Sequence, residues 1–139
     1  MNWLTWALLS AFFAAITAIF AKVGVAGINP NLATAIRTTV ILFFTWGIVF
    51  FTGGKTDWSI LDSRAWFFLV ASGLATGLSW LCYFRALKLG EVAKVAPVDK
   101  LSVAIAIILA VTVLGEKIKL HEALGAGLIV FGVIVMVIK

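Results

Sequence analysis

Five stretches without Asp, Glu, Lys or Arg decide what this chain can become: residues 1–21, 38–54, 65–84, 101–115 and 123–138. A helix needs about 20 mostly apolar residues to cross about 30 Å of hydrocarbon. Flanking Lys and Arg side chains can reach back to the interface, so the shorter runs qualify as well. The expected fold is an all-α integral membrane protein of five transmembrane helices. Their bounds are about 3–26, 32–52, 65–88, 93–114 and 119–138, within one domain covering 1–139. None of the runs alternates apolar and polar residues with period two, which argues against a β-barrel. The composition agrees: 63% of residues are hydrophobic and 12% charged, about half the charged fraction of a soluble domain. A soluble enzyme, a nucleic-acid-binding module and a disordered segment are all poor fits. The net charge of +5 is spread singly between apolar stretches rather than gathered on one polar face.

The connections are short. Gly27-Ile28-Asn29-Pro30-Asn31 reads as a turn whose Asn and Pro start the second helix. The longest loop covers 53–64, with Asp62 or Ser63 as cap of the third helix. Gly90 and Gly115 stand where C-cap glycines belong. The first basic residue, Lys22, follows the first apolar run instead of preceding it, so that run is expected to remain as a helix.

Five crossings put the two ends of the chain on opposite sides. The side of the N-terminus then carries Lys55, Arg64, Lys117 and Lys119. The other carries Lys22, Arg85, Lys88, Lys94 and Lys139. Lys/Arg bias sets membrane orientation, and here it is almost absent. Insertion in both orientations is one consequence, and an antiparallel homodimer would follow from it. Many transporters are built from two inverted repeats around a site at the bilayer midplane, and an odd number of helices suits one such repeat.

Ionisable groups inside spans are costly and mark pathways or partners. Arg37 lies in the second helix, and Asp99 and Lys100 in the fourth, just after Pro97. They are candidates for a polar substrate site, Arg37 for an anionic group and Asp99 for an amine or a proton. An Arg37–Asp99 ion pair that only fixes two helices together is the alternative. Pro97 can kink the fourth helix or merely open it. Trp80, Tyr83 and Phe84 make an aromatic stripe at i, i+3 and i+4. Trp46 and Trp80 fall mid-helix, where a ring can line a cavity or simply pack, whereas Trp3, Trp6, Trp58 and Trp66 suit an interfacial belt. Ser10/Ala14/Ala18, Gly73/Gly77 and Ala123/Gly127 follow small-xxx-small spacing, and Gly125, Gly127 and Gly132 nominate the last helix as a dimer face. Cys82 is a lone thiol in an apolar run, and His121 has no second His or Cys at ligand spacing. Neither a metal, a cofactor nor a catalytic set is expected.

Several segments resemble the EamA-type domains of the drug/metabolite transporter superfamily. Tyr83-Phe84-Arg85-Ala86-Leu87-Lys88-Leu89-Gly90 is similar to the end of that family's third helix, and Val95 to Ser102 to the start of its fourth. Leu114-Gly115-Glu116 resembles its "LGE" signature, Gly125 to Val133 its final helix, and Ala33 to Arg37 the start of its second. The resemblance implies a transporter, often an exporter, of amino acids or other small metabolites in the inner membrane, with no nucleic-acid partner. Typical members carry two such domains, so a complete transporter would come from two chains. On the residues, Trp46, Trp80, Tyr83, Arg37, Asp99 and Lys100 are the expected substrate contacts, with Asp99 the candidate for proton coupling. Glu116 reads as a loop or helix-cap residue. A non-transporting membrane subunit and a lipid-carrier translocator using Arg37, Arg85 and Lys100 are the alternative functions.

Overall fold

The computed structural model describes residues 2–52 and 61–138. Helices α1 (Trp3–Val25), α2 (Pro30–Phe51), α3 (Ser63–Leu89), α4 (Val92–Asp99), α5 (Leu101–Val113) and α6 (Leu120–Val137) follow one another along the chain. Taking Val92–Val113 as one span, five of these segments are long and apolar enough to cross a membrane. The apolar runs therefore become the anticipated spans. Lys55, Trp58 and Lys139, and most of the 53–64 loop, lie outside the described residues.

Local chemistry sets the helix ends. Asn29 is the N-cap of α2: its Oδ1 accepts the Asn31 N–H at 2.8 Å, and Pro30 follows at the first helical position, where its missing N–H costs nothing. Asp62 caps α3, its Oδ1 accepting the Ala65 N–H at 2.7 Å, so that α3 starts at Ser63 rather than at 65. Gly115 terminates α5 at φ +70°, and the Glu116 N–H returns to the Ala110 carbonyl at 3.1 Å. This closure reaches back six residues and turns on the left-handed backbone at Gly115, which glycine adopts without a Cβ penalty. The Leu114-Gly115-Glu116 signature thus encodes a helix stop. Gly90 behaves differently: among the described residues only Gly27 and Gly115 have positive φ, so α3 ends at Leu89 without a left-handed cap. In α6, Glu122 reaches back to accept the Lys119 N–H at 2.7 Å, and the helix starts at Leu120.

The fourth span is divided. Pro97 has no N–H to offer the Ala93 carbonyl, and its ring crowds that turn. The chain responds three residues later. The Lys100 N–H is shared between the Pro97 and Val98 carbonyls, and the Val103 N–H reaches back only to Lys100, at 3.0 Å. These i→i−3 bonds tighten the backbone and separate α4 from α5.

The helices group into two units, Met1–Ala18 with Gly90–Lys139, and Ile19–Leu89. In the first, α4 and α5 pack on α6, and Val133 of α6 is buried. In the second, α2 packs against α3, joined by the last two turns of α1. Its buried side chains are Ala21 and Val25 of α1, Ala33 and Thr34 of α2, and Phe84 and Leu87 of α3, with Leu87 fully enclosed. All six sit where α1 ends, α2 begins and α3 ends. Two lysines bind the same corner. Lys22 Nζ donates to the Leu87 carbonyl at 2.6 Å, and Lys88 Nζ to the Ile28 carbonyl at 2.9 Å. The last four carbonyls of a helix lack intrahelical partners and carry the negative end of its dipole, so an ammonium is well placed there. A charged hydrogen bond of this kind contributes about 1.5–3 kcal/mol. Lys22→Met keeps the stem and removes the ammonium. Its expected result is a loss of about that size in equilibrium unfolding of the purified protein; an unchanged unfolding midpoint would mean that the contact does not hold the corner together.

Candidate functional site

Arg37 stands seven residues into α2, about 10 Å from the start of the helix at 1.5 Å per residue. Its guanidinium carbon lies 4.4 Å from the centre of the Trp80 ring and 5.5 Å from that of Phe84. Trp80 and Phe84 are one helical turn apart on α3, so both rings face the same cation. Tyr83, between them in sequence, lies near Arg37. A guanidinium over an aromatic face gains about 0.5–1 kcal/mol when exposed and about 2 when desolvated. The α2–α3 pairing therefore unites three sequence-predicted residues, Arg37, Trp80 and Tyr83, with Phe84 as a further ring.

Trp46 is not part of this stack. Nine residues beyond Arg37 on the same helix, it is turned by about half a revolution. Its ring packs on Phe50 with centroids 5.9 Å apart. Asp99 and Lys100 lie in the other unit, at the division between α4 and α5, where their side chains form an ion pair at 3.3 Å. Gly125, Gly127 and Gly132 of α6 are open: a Cβ at any of them would meet no atom within 4 Å, and the same holds for Gly73 and Gly77 of α3. Trp3, Trp6 and Trp66 are exposed, close to the starts of α1 and α3.

One feature of this unit escapes sequence reasoning. A groove of about 320 Å³ runs between α2 and α3, lined by Asn31, Thr34, Ala35, Thr38, Thr39, Leu42, Gly77 and Leu81. Its polar atoms come from α2. The hydroxyls of Thr34, Thr38 and Thr39 donate to the carbonyls of Pro30, Thr34 and Ala35 at 2.9, 2.8 and 3.0 Å. With their protons spent on the preceding turn, the oxygens keep lone pairs for other donors. The sequence signal was present as Asn31, Thr34 and Thr38, spaced three and four apart along one helical stripe, with Thr39 on the neighbouring one.

Charge is unevenly placed around the stack. The segment Ile19–Leu89 contains two acidic residues, Asp57 and Asp62. Asp62 caps the start of α3, at the end of the helix pair opposite to Arg37. Lys22, Arg37, Arg85 and Lys88 occupy the near half, with no carboxylate among them.

Compared with known proteins, residues 1–138 match the model of the EamA-like transporter family. A protein of a Sinorhizobium species, described as an uncharacterized transporter in the cobO 3' region, is 54% identical over 137 residues, covering 99% of this chain and 97% of that protein. No solved structure matches. The five membrane-compatible helices and the match along almost the whole length lead to the same conclusion: this chain is a multi-pass membrane protein belonging to the EamA-like transporter family.

Proposed function

We propose that the protein moves small polar metabolites across the inner membrane as a dimer of five-helix protomers that alternates access between the two sides. The observation that carries this reading is the Arg37–Trp80–Phe84 stack, a cation about 10 Å into a membrane-spanning helix and held by rings rather than by a carboxylate. An intramembrane charge held in this way serves a pathway better than it serves packing. Transporters of this general plan bind substrate near the midplane between two repeats related by inversion. The relative described above is matched over nearly its full length by a single five-helix unit, which supports assembly of two chains. Near-balanced Lys/Arg flanks support an antiparallel pair, and the open face of Gly125, Gly127 and Gly132 offers a surface for close helix contact. Within Ile19–Leu89, Arg37, Trp80 and Tyr83 contact substrate, with Trp46 further along α2; in the other unit, Asp99, beside Lys100, carries the coupling proton.

Orientation mapping tests the assembly. With Cys82 changed to Ser, a single Cys is placed at Glu91 or at Lys117, and whole cells are treated with a membrane-impermeant thiol reagent. Both positions are exposed and lie on opposite sides in a five-span topology. Labelling of about half the molecules at each site is the expected result. Labelling at one site alone means that all chains point the same way, and the antiparallel dimer is then wrong.

A further inference from the structure

The Arg37 guanidinium is held by its faces, while its edges are unused. Aromatic rings take the planar face of the group. Its five N–H donors lie in the plane, at the rim. Among the described residues no carbonyl, hydroxyl or carboxylate accepts a hydrogen bond from Arg37, and its ion-pairing neighbours within Ile19–Leu89 are missing as well. Asp62 sits at the far end of the α2–α3 pair, and α2 runs on for 14 residues beyond Arg37, about 21 Å, before it ends. The nearby cations are spoken for differently. Lys22 is bound to the Leu87 carbonyl in the last turn of α3 and Lys88 to the Ile28 carbonyl in the turn before α2, and Arg85 is exposed.

We infer that the substrate of the proposed transport site is a carboxylate monoanion, held edge-on by the in-plane N–H fork of Arg37 while Trp80 and Phe84 keep the guanidinium flat. The inference rests on the transporter reading and adds the chemical class. Three features select a carboxylate. A guanidinium edge presents two parallel N–H bonds that match two carboxylate oxygens. Of the nearby cations only Arg37 is both partly buried and without an oxygen partner, since Arg85 is exposed, so one negative charge is balanced. A phosphate monoester carries about −1.5 to −2 at neutral pH and asks for more. The rings next to the fork are apolar and favour an uncharged remainder of the substrate.

The test uses the full chain in phosphatidylcholine vesicles and reads the thermal unfolding midpoint, since a ligand that binds the folded state raises it. Acetate, benzoate and N-acetylglycine are each compared with the corresponding uncharged amide, at constant ionic strength set with chloride. At least one acid is expected to stabilise the protein at a concentration at least tenfold below that of its amide. Arg37→Lys retains the charge without the fork and should lose at least tenfold of that preference; Arg37→Gln should abolish it. Equal effects of acids and amides overturn the inference, as does an unchanged acid preference in Arg37→Gln. Inorganic phosphate stabilising more strongly than every acid, or loss of the acid effect when phosphatidylglycerol is added, would assign the cation to a phosphate or a lipid headgroup instead. Because the acid/amide comparison uses the unaltered protein, it stands even if a variant fails to fold. Flux of the bound acid in the same vesicles separates the two claims. Binding without flux removes the transport role of the site and keeps the anion specificity. Flux of uncharged or cationic solutes, with no preference for acids, does the reverse.

Discussion

Replacing Leu87 by Ala is expected to lower the unfolding free energy by about 2–4 kcal/mol. Large-to-small changes at enclosed positions cost about 2–5 kcal/mol in soluble proteins, through lost contacts and the cavity left behind. In a membrane the lipid tails are as apolar as Leu, so the transfer contribution shrinks and the packing contribution remains. Leu87 is 0% exposed and its carbonyl receives the Lys22 ammonium, so a shift of the backbone here would loosen both. Leu128→Ala, at a position 71% exposed on α6, provides the comparison and should change stability by less than about 0.5 kcal/mol. Unfolding in mixed micelles with increasing dodecyl sulfate would measure both. Similar midpoints for the two variants would show that the corner formed by α1, α2 and α3 is not the stable centre of its unit.

Asp99→Asn is expected to abolish accumulation driven by a pH gradient and to leave the protein folded. Asparagine has nearly the shape of aspartate but can neither take up nor release a proton. It also removes the ion pair with Lys100, a contact between partly exposed side chains worth little to stability. Transport measured as exchange at equal pH on both sides should continue, because that mode needs no net proton movement. Accumulation that persists under an imposed gradient would take Asp99 out of the coupling mechanism.

Much of this architecture was legible because it is local. A run of apolar residues announces a span without reference to any other part of the chain. Asn29-Pro30, Asp62 and Gly115 each act within five residues of their own position, so their cap chemistry could be read directly. Local reasoning also shows its limit at Gly90, where the residue type suited a left-handed cap and the backbone took another path. The division at Lys100 lay one step further from its cause: Pro97 was visible, but the displacement of the break by three residues depends on how the freed backbone groups rebond. The candidate site was legible only as a collection of residues. Arg37 and Trp80 are 43 positions apart, and Lys22 and Leu87 are 65, so their pairing is decided by which helix faces meet. The threonine-lined groove has the same origin. Its stripe is written in α2, but the space appears only when Gly77 of α3 stands opposite.

Among the described residues of Ile19–Leu89, the crowding of the buried ones at one corner has a mechanical consequence. A helix pair clamped at one end by Leu87, Val25 and two lysines would pivot as a pair of tongs about that clamp. The 22 residues of α2 make a lever arm of about 33 Å. A swing of about 10° at the clamp would carry its free tip by about 6 Å, roughly the width of a small solute, while Arg37, about a third of the way along, moves by only about 2 Å. Such a swing would open an aperture at one membrane face while the cation and its rings stay in register.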